Sequence, residues 1–265
     1  MRAPDGTGYD LTGPQDAPVV VLIHGLGLNR ALWQVTTPAL TGFRVLTYDL
    51  MGHGQTPSPL PNPTLADLTA QLAALLDHLN LPKAALVGFS MGGMVARHFV
   101  QTHPARTTAL ALLNTPHTRS PEAQAAVLAR VAEARTQGPA ATVEAALARW
   151  FTADFRVANP GRMDIVRQWV LANDPATYPL YYRIFAEDVA MVTHPRPQVT
   201  CPTLVITGEL DHGNSPAMAR AIASDIPGAA TLILPDLCHM ALFQAPAAVN
   251  VPLVAFLTRY LCQIP

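Results

Sequence analysis

Lysine is almost missing from this chain. Among 265 residues only Lys83 stands beside sixteen arginines, and the 17 basic groups nearly balance the 18 acidic ones. A formal net charge of -1 leaves no basic stripe for a phosphate backbone, which excludes nucleic acid as a partner. Cysteine is scarce too. Cys201, Cys238 and Cys262 are odd in number and scattered without metal-ligand spacing, so reduced thiols are expected rather than a disulfide framework or a metal centre. No stretch approaches the roughly 18 consecutive apolar residues that a membrane-spanning helix requires. The start, MRAPDGTGYD, lacks the apolar run of a secretion signal. These absences predict a cytoplasmic protein with no membrane partner.

What is present is apolar mass. Half of the residues are hydrophobic, enough for one large α/β domain or a core domain with an insertion, and too much for a disordered chain. Val19 to Ile23, read VVVLI, is a run of apolar and mostly β-branched residues, as a strand buried on both faces requires. It ends in His24-Gly25-Leu26-Gly27, a glycine-bracketed loop at the carboxyl end of a central strand, where open α/β sheets bind ligands. Tyr9 to Leu11 is short enough for an edge strand only. Arg30 to Leu40 reads as a short helix carrying Trp33, and Arg44 to Tyr48 as the next strand, followed by Asp49 to Gly54. From Thr64 the leucines at 65, 68, 72, 75, 76 and 79 keep helical spacing, with Thr64 as N-cap and Asp67 completing a capping box.

Ala85 to Met94 organises the rest. The strand runs into Gly88-Phe89-Ser90-Met91-Gly92 and straight on into a helix that continues to His103. Only five serines occur, and this one has glycine two residues away on both sides. A strand, a reversal and a helix start packed so tightly force the central residue into unfavourable backbone geometry, with room for nothing bulkier than glycine beside it. That is the G-x-S-x-G nucleophile elbow, which holds a hydroxyl above the sheet edge. A strand follows at Thr108 to Leu113, and the alternation predicts a doubly wound, mostly parallel sheet with right-handed crossovers.

The alternation stops at Asn114. From Pro116 to about Pro197 only helical segments are expected: one opened by Ser120-Pro121 and closed by Gly138, then Ala140 to Phe151, Gly161 to Ala172 and Pro175 to Val192. The organisation is thus a core of residues 1-115 and 198-265 with a helical lid at 116-197. Sheet structure resumes with TLVIT from Thr203, then Glu209-Leu210-Asp211. A helix at Pro216 to Ile226, a strand at Ala230 to Leu234, the loop Pro235 to His239 and a last helix at Pro246 to Leu261 complete the chain.

Three residue types needed for acyl transfer fall at strand ends in the order Ser90, Asp211, His239. His239 is the candidate general base and acid, and Asp211 the group that fixes its tautomer. His24 and His53 precede glycines in tight loops and read as turn braces, while Asn114 occupies a position used by an acid in some relatives of this fold and cannot carry charge. Backbone N-H groups of Leu26 and Met91 are the expected donors to a developing oxyanion. The motifs HGLG, DLMGHG, GFSMGG, GELD and the terminal histidine, in that order, resemble the α/β-hydrolase superfamily over essentially the full length. GFSMGGMVAR, NDPATYPLYYR and the length resemble its 3-oxoadipate enol-lactonase and esterase group.

The resemblance implies a serine hydrolase acting on a small-molecule ester or lactone through an acyl-serine, with no cofactor and no metal. Carbon-carbon bond hydrolysis of ring-cleavage products and a receptor retaining the fold remain as alternatives, with peracid chemistry as an incidental activity. A dicarboxylic substrate would call for a lid cation among Arg149, Arg156, Arg162, Arg167 and Arg183. Trp33, Trp150, Tyr181 and Arg183 are the candidate substrate contacts. Oligomeric state is not set by the sequence.

Overall fold

The computed structural model describes residues 1–262. Seven strands form one sheet: β1 (Tyr9–Thr12), β2 (Val19–Ile23), β3 (Arg44–Tyr48), β4 (Ala84–Phe89), β5 (Thr107–Leu113), β6 (Thr203–Gly208) and β7 (Ala230–Leu234). Their spatial order is β1-β3-β2-β4-β5-β6-β7. Only β1 is antiparallel, pairing with β3 at the edge; the remaining pairs are parallel. β4 lies at the centre with all six residues buried, as its unbroken apolar run requires.

Side chains alternate between the two faces with the two-residue period of a strand. Val21, Ile23, Leu46, Leu86, Leu110 and Leu112 enter one core with the helices α1 (Leu65–His78), α2 (Met91–Thr102) and, later in the chain, Pro216–Asp225. Val20, Leu22, Val87, Phe89, Ala111 and Ile206 enter the other with Trp33 and the C-terminal helix Pro246–Leu261. α1 begins as its capping box dictates: Thr64 N donates to Asp67 Oδ2 at 2.8 Å and Asp67 N to Thr64 Oγ1 at 3.3 Å. The expected helix at 30–40 is instead two 3-10 turns, Arg30–Val35 and Thr37–Ala39. Asn29 caps the first, and Pro38, which lacks an N-H, sits inside the second.

Between β5 and β6 no residue joins the sheet. This segment carries α3 (Pro121–Gln137), α4 (Val143–Trp150), α5 (Ala153–Ala158), α6 (Pro160–Leu171) and α7 (Tyr178–Glu187). α5 was not foreseen; Thr152 Oγ1 opens it by accepting from Phe155 N at 3.4 Å. α7 starts later than expected because Asp174 Oδ1 captures the N-H groups of Ala176 and Thr177 in a turn. It continues past Glu187 only as a 3-10 turn to Val192. After the sheet resumes, α8 (Pro216–Asp225) and α10 (Pro246–Leu261) stand as expected, with a short α9 (Ala241–Gln244) between them.

Both chain crossings into the helical segment are fastened at one place. Arg97 of α2, almost fully buried and without an ion pair among the described residues, donates through Nη1 to Pro116 O at 2.9 Å and through Nη2 to Val192 O. Asp225, at the end of α8, accepts from His117 Nε2 at 3.0 Å, from His194 Nδ1 at 2.8 Å and from His194 N at 2.8 Å. Among the described residues no helix is long and apolar enough to cross a membrane.

Candidate active site

Ser90 sits at the turn from β4 to α2 with φ 54° and ψ -117°, a region that L-residues rarely occupy. The surroundings hold it there. Ser90 N donates to Leu113 O at 2.9 Å, while Ser90 O accepts from Gly93 N at 3.0 Å and Thr115 Oγ1 at 2.8 Å. A Cβ on Gly88 would overlap Gly92 O, and one on Gly92 would overlap the carbonyl oxygens of Ile23 and His24. The two glycines of the motif are therefore consequences of backbone meeting backbone.

Asp211 follows β6 and is 2% exposed. Its Oδ1 accepts from the N-H groups of Gly213 at 3.0 Å and Asn214 at 2.9 Å. Its Oδ2 accepts from His239 Nδ1 at 2.7 Å and from Asn114 Nδ2 at 2.9 Å. Four donors on one carboxylate fix its plane. With Nδ1 donating to the carboxylate, the other nitrogen of His239 is the basic one. The ring is held between Phe89, with centroids 4.9 Å apart, and Trp150, at 6.0 Å. Ser90 Oγ and His239 line the same cavity but share no hydrogen bond in this structure.

That cavity, about 490 Å3, lies between the carboxyl ends of the strands and the helical segment. Gly25, Leu26, Phe89, Ser90, Asp211 and His239 line the sheet side. Leu26 N finds no protein acceptor among the described residues, and Met91 N, first in α2, has none within its helix. The loop carrying Leu26 is braced by His24. Its Nδ1 donates to Gly25 O at 2.8 Å and its Nε2 accepts from Leu50 N at 2.9 Å. Complete burial holds the His24 pKa below its ordinary value and so keeps the ring neutral. Burial also pushes His53 down to about 3, and His24, 5.3 Å away between ring centroids, adds to the effect.

Of the four expected substrate contacts, Trp150 lines the cavity and three do not. Trp33 is fully buried in the core layer that Leu28, Phe89 and Phe151 share, and borders a separate groove with Arg30 and Trp169, because the 3-10 turn that carries it packs on β2, β3 and α9. Tyr181 lies against Gly52, where a Cβ would overlap its ring, and hydrogen-bonds Ser58 Oγ at 2.7 Å. Arg183 donates to Pro63 O at 2.6 Å and pairs with Glu187 at 3.5 Å on the outside of α7. Arg119 and Arg130, which the sequence does not single out, join Arg149 and Arg156 in the cavity wall, and of the aromatics in the helical segment Tyr178, Tyr182 and Phe185 line it as well. Val127 and Arg130, three residues apart on α3, share its inward face, a helical spacing that could have signalled the arginine. Asn114 was set aside as an uncharged residue; here it braces the carboxylate. Among the described residues no group of His, Cys, Asp and Glu side chains is arranged to hold a metal ion.

The comparisons with known proteins agree with this architecture. The curated 3-oxoadipate enol-lactonase 2 of Acinetobacter baylyi is 28% identical over 253 residues, which cover 95% of this chain and 93% of the relative. A Stutzerimonas stutzeri protein, RutD, named for a proposed carbamate hydrolase activity, is 30% identical over 230 residues, covering 85% and 87%. Among solved structures, the enol-lactonase from Burkholderia xenovorans LB400 superposes with a TM-score of 0.87 at 33% identity, covering 95% of this chain and 96% of that one. The family model for the alpha/beta hydrolase fold matches residues 18–246, and the chain belongs to that family.

Proposed function

We propose that the protein hydrolyses a small carboxylic ester or lactone through an acyl-serine formed on Ser90. The observation that carries this reading is the 2.7 Å bond from His239 Nδ1 to Asp211 Oδ2 in the wall of the cavity that also contains Ser90. Ser90 Oγ attacks the carbonyl carbon while His239 Nε2 takes the hydroxyl proton, and Asp211 stabilises the resulting imidazolium. The same proton passes to the departing alkoxide, which is the other end of the same molecule when the substrate is a lactone. Water, deprotonated by His239, then attacks the acyl carbon, releases the acid and restores Ser90. The N-H groups of Leu26 and Met91 receive the oxyanion in both steps, each worth roughly a hundredfold in rate.

The missing Ser90–His239 bond is compatible with this, since such contacts commonly tighten only when substrate is bound. The helical segment 116–197 serves as a lid on the core formed by 1–115 and 198–265, and shields the acyl intermediate from bulk water. A fluorophosphonate probe together with a p-nitrophenyl butyrate assay tests the reading. Labelling at Ser90 with sustained turnover supports it. A single burst without turnover, or full activity in Ser90→Ala, rejects it.

A further inference from the structure

Charge is distributed unevenly around the cavity. Arg119, Arg130, Arg149 and Arg156 line it, and Asp211 is the sole carboxylate, already engaged by four donors. None of these four arginines forms an ion pair among the described residues. Three of them belong together. Arg119 lies over the Phe185 ring at 4.6 Å and donates to Phe185 O, Ala186 O and Gln124 Oε1, all uncharged, while its buried Nε has no partner. Arg130 Nε donates to Tyr182 Oη at 3.0 Å. Arg149 makes no side-chain hydrogen bond to the protein among the described residues and reaches the cavity from α4.

Burial first, and repulsion from Arg130 second, lower the pKa of both Arg119 and Arg149. Like charges gathered in a partly dry wall are unfavourable unless an anion joins them, and guanidinium groups bind oxyanions through paired N-H donors. Arg156 stands on α5 beside Cys238 and belongs to another wall.

We propose that Arg119, Arg130 and Arg149 form a subsite for a compact dianion, a vicinal dicarboxylate or a phosphate monoester, carried by the ester or lactone that Ser90 cleaves. Of the carboxylates, Glu133 acts on Arg149 but forms no ion pair with it, and three converging cations with that one distant counter-charge match two negative charges better than one. The subsite rests on the acyl-serine reading for its role in catalysis, but not for its existence.

Binding to the Ser90→Ala protein separates the two. Titration calorimetry with succinate, inorganic phosphate and acetate at low ionic strength should show succinate or phosphate binding roughly ten- to hundredfold more tightly than acetate, the range expected for charge-assisted hydrogen bonds. Raising salt from about 20 to about 200 mM should weaken that binding several-fold. Tight binding of succinate alone identifies the dicarboxylate and of phosphate alone the monoester. Adding Arg130→Gln should remove the advantage over acetate. Arg149→Gln, at a side chain with no hydrogen bond to the protein among the described residues, gives the same readout should the first variant melt early. In the active enzyme, succinate or phosphate should inhibit p-nitrophenyl butyrate hydrolysis by raising KM and leaving kcat, and Arg130→Gln should relieve this. The subsite is refuted if neither dianion outbinds acetate, or if both glutamine variants retain the preference. Absence of turnover with a preserved preference would instead sink the acyl-serine reading alone.

Discussion

The sheet side and the helical side of the cavity treat charge in opposite ways. On the sheet side the one carboxylate is saturated with donors, and its histidine is oriented by a short bond and held between two aromatic rings. On the helical side three guanidiniums face the space without an ion pair among the described residues: Arg119 and Arg130 bond only neutral oxygens, and Arg149 has the Glu133 charge nearby but no hydrogen bond. Groups that transfer protons must be in position before substrate arrives, since reorganisation during the reaction costs rate. Groups that select a substrate can leave their last bonds for the ligand to complete. Under the proposed acyl-serine reading, the difference teaches that chemistry and selectivity would be built from separate elements, one set on strand ends and the other on helices joined to them at two crossings.

The comparison breaks most severely on the sheet side. Ser90→Ala should reduce kcat by about six orders of magnitude with the melting temperature unchanged, and Asp211→Asn by about four, as in other serine-histidine-aspartate sites. Asn114→Leu sharpens it further. Removing one donor from Asp211 should cost about 1–3 kcal/mol in kcat/KM, with KM for a neutral ester little altered. An equal loss in kcat and rise in KM would show that Asn114 shapes the cavity instead.

A pH prediction concerns the seam between the two sides, where His53 packs edge-to-face with His24 and with Tyr181 of α7. The folded-state pKa of His53 is lowered to about 3 from an ordinary 6.5, so below that ordinary value the unfolded chain binds the extra proton. Its contribution is fully present above about pH 6.5 and is lost progressively as pH falls toward 3. Urea midpoints measured across that window should fall less steeply in His53→Gln than in the parent. The smallest effect is expected for Tyr181→Phe, which removes the bond to Ser58 and should cost about 1 kcal/mol of stability with no change in specificity.

The sheet side was legible in the sequence because its signals are local. An apolar run marks β2 or β4, and backbone collisions demand glycine at 88 and 92 whatever the rest of the chain does. The helical side was not, because which face of a helix looks inward is decided by its neighbours. Tyr181 and Arg183 are two residues apart on α7, yet one is locked over Gly52 and the other leans outward to Pro63, and neither reaches the cavity. Trp33 is lost to the cavity for the same reason: its 3-10 turn packs on β2, β3 and α9, which bury the ring in the core. Arg119 lies in the connection before α3, where no periodic pattern exists to orient it.

The grip of Arg97 on Pro116 O and Val192 O has a mechanical consequence. The entry and exit of the helical segment are both tied to one side chain of α2, the helix that begins at Ser90, and Asp225 of α8 ties His117 and His194 beside them. A shift of either crossing strains a bond made by the guanidinium that also holds the other, so the two ends of the segment are coupled to each other. That shared anchor sits on the same helix that starts at Ser90, so the position of the segment's two ends and the backbone angle at residue 90 are set by one rod.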